Sequence, residues 1–241
     1  MIKKASLFIF IFLTVILNSF AQNRFSHPPI SIGHHIKTGD KIIFHIQSSR
    51  GNNKLFVTDG TSAGTIELGT FNILRYPYVY YDYPSIGVMN GEYYFAAAKN
   101  GGDQVEVWKT DGTAGGTVQA VDIDPDMGAD PWSFKAFNGK IFFLAYTSFG
   151  QTYKKTSSLF SLDSQGNLES YPYTVSNSNY DQIQHFEIWN NHIYVYTPDN
   201  DALSQLDINT GSYTSIASLS VEFMQPTAEG LLIIRITQWC Q

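Results

Sequence analysis

"LFVTDGTSAGT" at residues 55–65 returns as "VWKTDGTAGGT" at residues 107–117, a step of 52 residues. An Asp at the head of a turn accepts a hydrogen bond from the backbone two residues on, Gly follows where φ turns positive, and Thr leads back into an extended segment. Each copy is therefore expected to close a hairpin, and its return marks a repeated module rather than a second site. The large ring ahead of the turn, Phe56, Trp108 and, in a weaker third copy, Phe160, is expected to lie between neighbouring sheets, one per module.

A second marker keeps the same beat. A short apolar run follows a turn signal five times: Gly39-Asp40 before "KIIFHI", Asn90-Gly91 before "EYYFAAA", Asn138-Gly139 before "KIFFLAY", Asn190-Asn191 before "HIYVYT" and Glu229-Gly230 before "LLIIRI". From Gly39 through Gly91, Gly139 and Asn191 to Gly230 the steps are 52, 48, 52 and 39, and from Asp59 through Asp111 and Asp163 to Asp207 they are 52, 52 and 44. Such a period is the signature of a repeat architecture. Each unit reads as strand, tight turn, strand, longer loop, strand, Asp/Gly turn, strand. Its second strand is apolar at consecutive positions, as in a sheet buried on both faces. The expected fold is all-β and β-propeller-like, with four recognisable four-stranded blades at about 30–69, 84–123, 132–171 and 183–217 and a partial fifth at 221–241.

The amino-terminal stretch has Lys3 and Lys4, an uncharged apolar run from Leu7 to Leu17, and Ser19-Phe20-Ala21. This is the pattern of a secretory signal over residues 1–21, which leaves residues 22–241 as the repeat domain. The run is short of the roughly 20 residues a membrane span needs, so no span is expected after cleavage. Cys240 is the only cysteine, so stability must come from packing without an internal disulfide. The net charge of −6 falls to −8 without Lys3 and Lys4, and the arginines are Arg24, Arg50, Arg75 and Arg235. With no basic stripe to neutralise phosphates, nucleic acid is not an expected partner.

"VEVWKTDGTAGGT", followed by "VQAVDIDPDMGADP" and "NGKIFF", resembles the repeat written E-L-W-x-x-D-G-T-x-x-G-T that many large secreted or surface bacterial proteins carry in series. Glu106, Val107, Trp108, Asp111, Gly112, Thr113, Gly116 and Thr117 match it, with Val in place of Leu. The first copy has Phe56 for the Trp. The third, "SLFSLDSQGNL", keeps the hydrophobic pair and Asp163, and the fourth, "LSQLDINTGSY", has Ser204 where the ring should stand. The resemblance runs from Gly39 to about Leu162 and fades beyond. It implies a propeller-like module with an adhesive or surface role, secreted, periplasmic or on the outer surface of a bacterium, and it carries no catalytic residues.

Two stretches suggest ligands. "DIDPDMGAD" places Asp122, Asp124, Asp126 and Asp130 in one loop, and hard cations seek several carboxylates, so calcium is a candidate cofactor. The spacing matches a calcium loop only in part, since Gly128 is one position late and no Glu closes the loop. The other reading is a solvated acidic connector. "RYPYVYYDYPS" places Tyr76, Tyr78, Tyr80, Tyr81 and Tyr83 in an insert between the first two units. Such rings stack on sugars, form protein contacts, or cover a sheet edge. His34 and His35 are adjacent, so on a strand they point apart and cannot chelate together. No nucleophile, zinc or phosphate-loop motif is present. The expected function is that of a non-catalytic interaction or adhesion repeat with a protein or glycan partner; the alternative is a glycan-binding or glycan-processing propeller.

Overall fold

The computed structural model describes residues 30–48, 53–73, 86–99, 104–126, 128–147, 156–173, 183–219, 221 and 223–234. The first blade is built from β1 (Ile30–Thr38), β2 (Lys41–Ser48), β3 (Lys54–Thr58) and β4 (Ile66–Ile73), and the second from β5 (Ile86–Met89), β6 (Glu92–Lys99), β7 (Glu106–Thr110) and β8 (Val118–Val121). The third holds β9 (Trp132–Phe137), β10 (Lys140–Thr147), β11 (Thr156–Asp163) and β12 (Leu168–Tyr171), and the fourth β13 (His185–Trp189), β14 (His192–Thr197), β15 (Ala202–Asp207) and β16 (Ser212–Ser218). A two-stranded sheet follows, β17 (Phe223–Pro226) with β18 (Leu231–Ile234). The fold is all-β and propeller-like, four antiparallel four-stranded blades and a partial fifth. Among the described residues the one helical element is a single 3-10 turn at Pro198–Asn200, and no helix is long and apolar enough to cross a membrane.

The first hairpin of each blade turns where the sequence places paired turn residues. Asn90 and Gly91 have φ of 53° and 81°, Asn138 and Gly139 of 48° and 73°, and Asn190 and Asn191 of 48° and 62°. Two successive positive φ values match the right-handed twist of the flanking strands, and Asn and Gly tolerate them best. The first strands stand side by side, β1 touching β5, β5 touching β9, β9 touching β13 and β13 touching β17. They form the inner edge of the arrangement.

The second strands explain why the blades stack. Tyr93 through Ala98 and Ile141 through Ala145 are buried without interruption, so each sheet presents apolar side chains to both neighbours. Between blades 1 and 2 lie Ile43, Leu55, Val57, Phe71, Phe95 and Trp108. Between blades 2 and 3 lie Tyr94, Val107, Phe134, Ile141, Phe143 and Phe160. Trp108 meets Phe71 edge-on with centroids 5.1 Å apart, and Phe160 stacks on Phe143 at 5.7 Å. Both rings sit between sheets as expected. Phe56 stacks on Phe44 across its own hairpin at 5.5 Å, as Phe160 does on Phe143, and lies outside the cluster shared with blade 2; no second sheet stands on its other side among the described residues. Its blade is the first of the series, and the face it occupies is turned away from blade 2.

Blades 1 and 2 are also joined through the backbone, since Phe71, Asn72 and Ile73 of β4 pair with Lys99, Ala98 and Ala97 of β6. The close approach of blades 2 and 3 depends on Gly87 in β5, where an added Cβ would stand 2.6 Å from Ile141 Cδ1 and 2.8 Å from Phe134 Cβ. Gly87→Ala is therefore expected to destabilise the protein by about 1–3 kcal/mol. Gly115→Ala, where nothing lies within 4 Å, should leave the melting temperature nearly unchanged. Paired thermal melts decide this, and equal melting temperatures would remove the packing role given to Gly87.

Candidate functional site

The two Asp-Gly-Thr loops are the same corner built twice. Asp59 Oδ1 accepts the Thr61 N–H at 2.8 Å and its hydroxyl at 2.7 Å, and Asp111 Oδ1 accepts the same pair from Thr113 at the same distances. The Thr65 hydroxyl donates to the Thr61 carbonyl at 2.6 Å, as Thr117 does to Thr113. The last glycine of the motif is needed because a Cβ on Gly64 or Gly116 would stand 2.1 Å from the turn carboxylate. The threonine bonds, side-chain first, hold Asp59 and Asp111 below the usual carboxylate range. In the weaker copies Asp163 still accepts from the Gln165 N–H and Asp207 from the Asn209 N–H, each at 2.9 Å. The carboxylates are committed to their own turns.

The acidic stretch 122–130 wraps the start of β7. Glu106 Oε2 accepts the Ile123 N–H at 2.9 Å, and Oε1 accepts those of Asp124 at 3.1 Å and Ala129 at 3.0 Å. Gln104 Nε2 donates to the carbonyls of Pro125 and Asp126. Gly128 is in contact with the Gln104–Val105 backbone, where a Cβ would come within 2.5 Å of Val105 N. The Asp126 N–H bonds to Asp124 Oδ1 at 3.2 Å. Among the described residues no three His, Cys, Asp or Glu side chains are grouped so that they could hold a metal ion, Asp122, Asp124, Asp126 and Asp130 included. The stretch is organised from beneath, by one buried carboxylate and a glycine. The tyrosine insert, Tyr76, Tyr78, Tyr80, Tyr81 and Tyr83, lies outside the described residues.

Burial is the largest influence on Glu106 and pushes it up to about 7; the three N–H donors pull down and Asp122 adds to the rise. The native state thus holds a proton on Glu106 between about 4.5 and 7 that the unfolded chain has released, so its contribution to stability is present below 4.5 and lost as pH rises through 7. Burial pushes His185 down to about 4, and its contribution runs the other way, present above 6.5 and lost as pH falls toward 4. Glu106→Gln replaces two acceptor oxygens by one and turns an amide NH2 toward a backbone donor, at a cost of about 1–3 kcal/mol. It also removes the Glu106 slope. The melting temperature at about pH 5 minus that at about pH 8 should be lower in Glu106→Gln than in the unaltered protein; an unchanged difference would overturn the titration.

A third group of polar and aromatic side chains lies on the inner strands of blades 3 and 4 and on β14 beside them. Lys135 of β9 reaches across to β13, where its ammonium bonds the Glu187 carboxylate and, at 3.0 Å, the Phe186 carbonyl. It also lies 5.0 Å from the centre of the Phe186 ring. Burial holds Lys135 below its usual range while Glu187 opposes the shift; the two side chains are 18% and 15% exposed. Glu187 is paired across the strand with Tyr194 and Trp189 with His192. The rings of Trp189 and Tyr194 are 6.3 Å apart, as are those of His192 and Tyr194. Trp189 and Tyr194 are half-buried and His192 is exposed. A partly shielded ion pair beside three amphipathic rings can grip an uncharged chain by stacking and orient it by hydrogen bonds. None of these five side chains stands out in the sequence. Tyr194 occupies the position of Tyr94 and has the same identity, so only the surroundings distinguish it.

No family model and no curated protein matches the sequence. Solved structures share its shape. A structure from a study of two prolyl endopeptidases and the role of inter-domain dynamics in their catalysis and specificity matches with a TM-score of 0.56 at 11% identity, over 85% of this chain and 32% of its own. Dipeptidyl peptidase 4 of Porphyromonas gingivalis matches at 0.53 and 11%, over 85% and 30%. The acylaminoacyl peptidase of Pyrococcus horikoshii gives 0.48 and 13%, over 76% and 27%. This chain spans about a third of the length of each. At such identities the first two likenesses establish the fold. Against the expectation of a non-catalytic adhesion repeat, with a glycan-binding or glycan-processing propeller as its alternative, the finding is a correction: the structures matched above a TM-score of 0.5 come from peptidases.

Proposed function

We propose that the chain is the propeller part of a peptide-processing protein and holds a peptide near its inner strands for hydrolysis at a cleavage centre beside it. The observation that carries this reading is the set of Trp189, His192 and Tyr194 around the Lys135–Glu187 pair, at the inner edge of an architecture shared with peptidases. Rings and one shielded ion pair suit the uncharged backbone of a peptide, which offers carbonyls and N–H groups in fixed alternation. The signal-like stretch over residues 1–21 supports export from a bacterium. The Asp-Gly-Thr corners and the Glu106 clasp support placing the first two units with the E-L-W-x-x-D-G-T-x-x-G-T repeats, in a scaffolding role.

Binding of fluorescein-labelled peptides of two to ten residues to the purified chain, followed by anisotropy, tests the proposal. Saturable binding is expected, weakened about tenfold by Trp189→Ala. A chain that binds no peptide of the series but retains carbohydrate on a glycan array would overturn it.

A further inference from the structure

The last interface of the series is uneven. Blade 4 presents four strands to its successor, and among the described residues the successor supplies two, β17 and β18. Their contact buries Tyr196, Leu203, Val221 and Met224, with Ala217, Leu219, Leu231 and Ile233 packed against them. At the three earlier interfaces a full blade meets a full blade. There the corresponding second-strand positions, Ile43, Tyr94 and Phe142, are 0%, 1% and 0% exposed. Tyr194 is the fourth member of that set and is half-buried. Gln205 beside it on β15 is half-buried, as is Lys109 at the same place in blade 2, while Ser161 in blade 3 is fully buried. Farther out Ile216 is 50% exposed, where Leu68 at the same place in blade 1 is 5% exposed.

This strip is continuous with the buried contact, and at the earlier interfaces the counterparts of Tyr194 are covered by the next blade. Among the described residues β18 pairs with β17 alone, so its other edge faces the place where a third strand would lie. We infer that the β18 edge and the Tyr194–Gln205 strip receive an extended peptide as a third strand of the fifth sheet. The inference rests on the peptide-holding reading above and specifies its mode. Main-chain pairing to an edge gives affinity whatever the sequence, and alternate side chains turn toward the covered face. The strip there consists of a phenol ring, an amide and aliphatic carbons, so the inward side chains are uncharged, because burying an unpaired charge against them is costly.

The test uses a fluorescein-labelled octapeptide alternating valine and threonine between terminal lysines, with two derivatives N-methylated at every second residue in one frame or the other. The parent should bind saturably, one methylated frame should lose binding at least tenfold, and the other should keep it, since only one set of N–H groups points at β18. Tyr194→Ser should weaken the parent about tenfold while Tyr194→Phe, which keeps the ring packed against Tyr196 and Leu203, should keep it within about twofold. Equal binding by the parent and both derivatives would overturn strand addition and leave the peptide reading standing, whereas an unaffected Tyr194→Ser would overturn both. Binding by none of the peptides would overturn both. Binding that appears only after residues 235–241 are deleted would assign the edge to the chain's own continuation and overturn an external peptide.

Discussion

Each blade has two apolar faces, and the rest of the structure follows from that. A sheet whose middle strand reads Tyr-Tyr-Phe-Ala-Ala-Ala or Ile-Phe-Phe-Leu-Ala buries consecutive residues on opposite sides, so it cannot stand alone in water or float on one neighbour. At about 25 cal/mol per Å² of apolar area, an uncovered face of several large side chains is a deficit that stacking removes. The stack repeats the same contact three times between full blades, and its end interfaces are where the pattern must change. Phe44 and Phe56 stack on each other on the face of blade 1 that looks away from blade 2. At the other end two strands meet four among the described residues, and Tyr194 is half-buried.

The hairpin corners serve that stacking without taking part in it. An Asp-Gly-Thr corner fixes the angle between the third and fourth strands through bonds among its own residues, so the outer strands are set locally and the apolar faces arrive already aligned. The clasp on Glu106 extends this from hairpin to linker. Its carboxylate gathers three N–H groups from the stretch that leads toward β9, and a linker so bound delivers the next blade at a defined place. In blade 1 the equivalent position is Lys54, which pairs with Glu67 on the neighbouring strand instead. There the link to blade 2 is made by β4 pairing with β6. Two different devices thus solve the same problem at successive joints.

What the sequence disclosed follows from how local each device is. The tight turns, the Asp corners and the uninterrupted apolar strands are set by residues within about ten positions of each other, and all were legible. Ring placement was legible for Trp108 and Phe160, which have a sheet on the side they face, and for Phe56 it turns on a neighbour that is not among the described residues. The acids of "DIDPDMGAD" read as a group because they are close in sequence, yet the group that organises them, Glu106, lies outside the run and shows its role only in the folded chain. The Lys135–Glu187 pair joins residues 52 apart, the repeat step itself. Each side chain separately looks like an ordinary surface charge on a strand.

The units are most alike at the rim and least alike at the inner edge, and this locates the specific chemistry. Around the rim Asp59, Asp111, Asp163 and Asp207 hold equivalent turns. Across from Ile43, Tyr94, Phe142 and Tyr194 the inner strands place Ile36, Gly87, Lys135 and Glu187, four residues with nothing in common. A position that served only packing would be free to keep one apolar type in every blade. Gly87 is explained by the approach of blade 3, but steric need does not select a lysine and a glutamate in adjacent blades. Taking two charges out of water is repaid only in part by their attraction, so an apolar pair would stack these blades at least as well. The inner edge of blades 3 and 4 is accordingly where the repeat departs from its own packing logic, and a departure of that kind is how a site is placed on a scaffold built from identical parts.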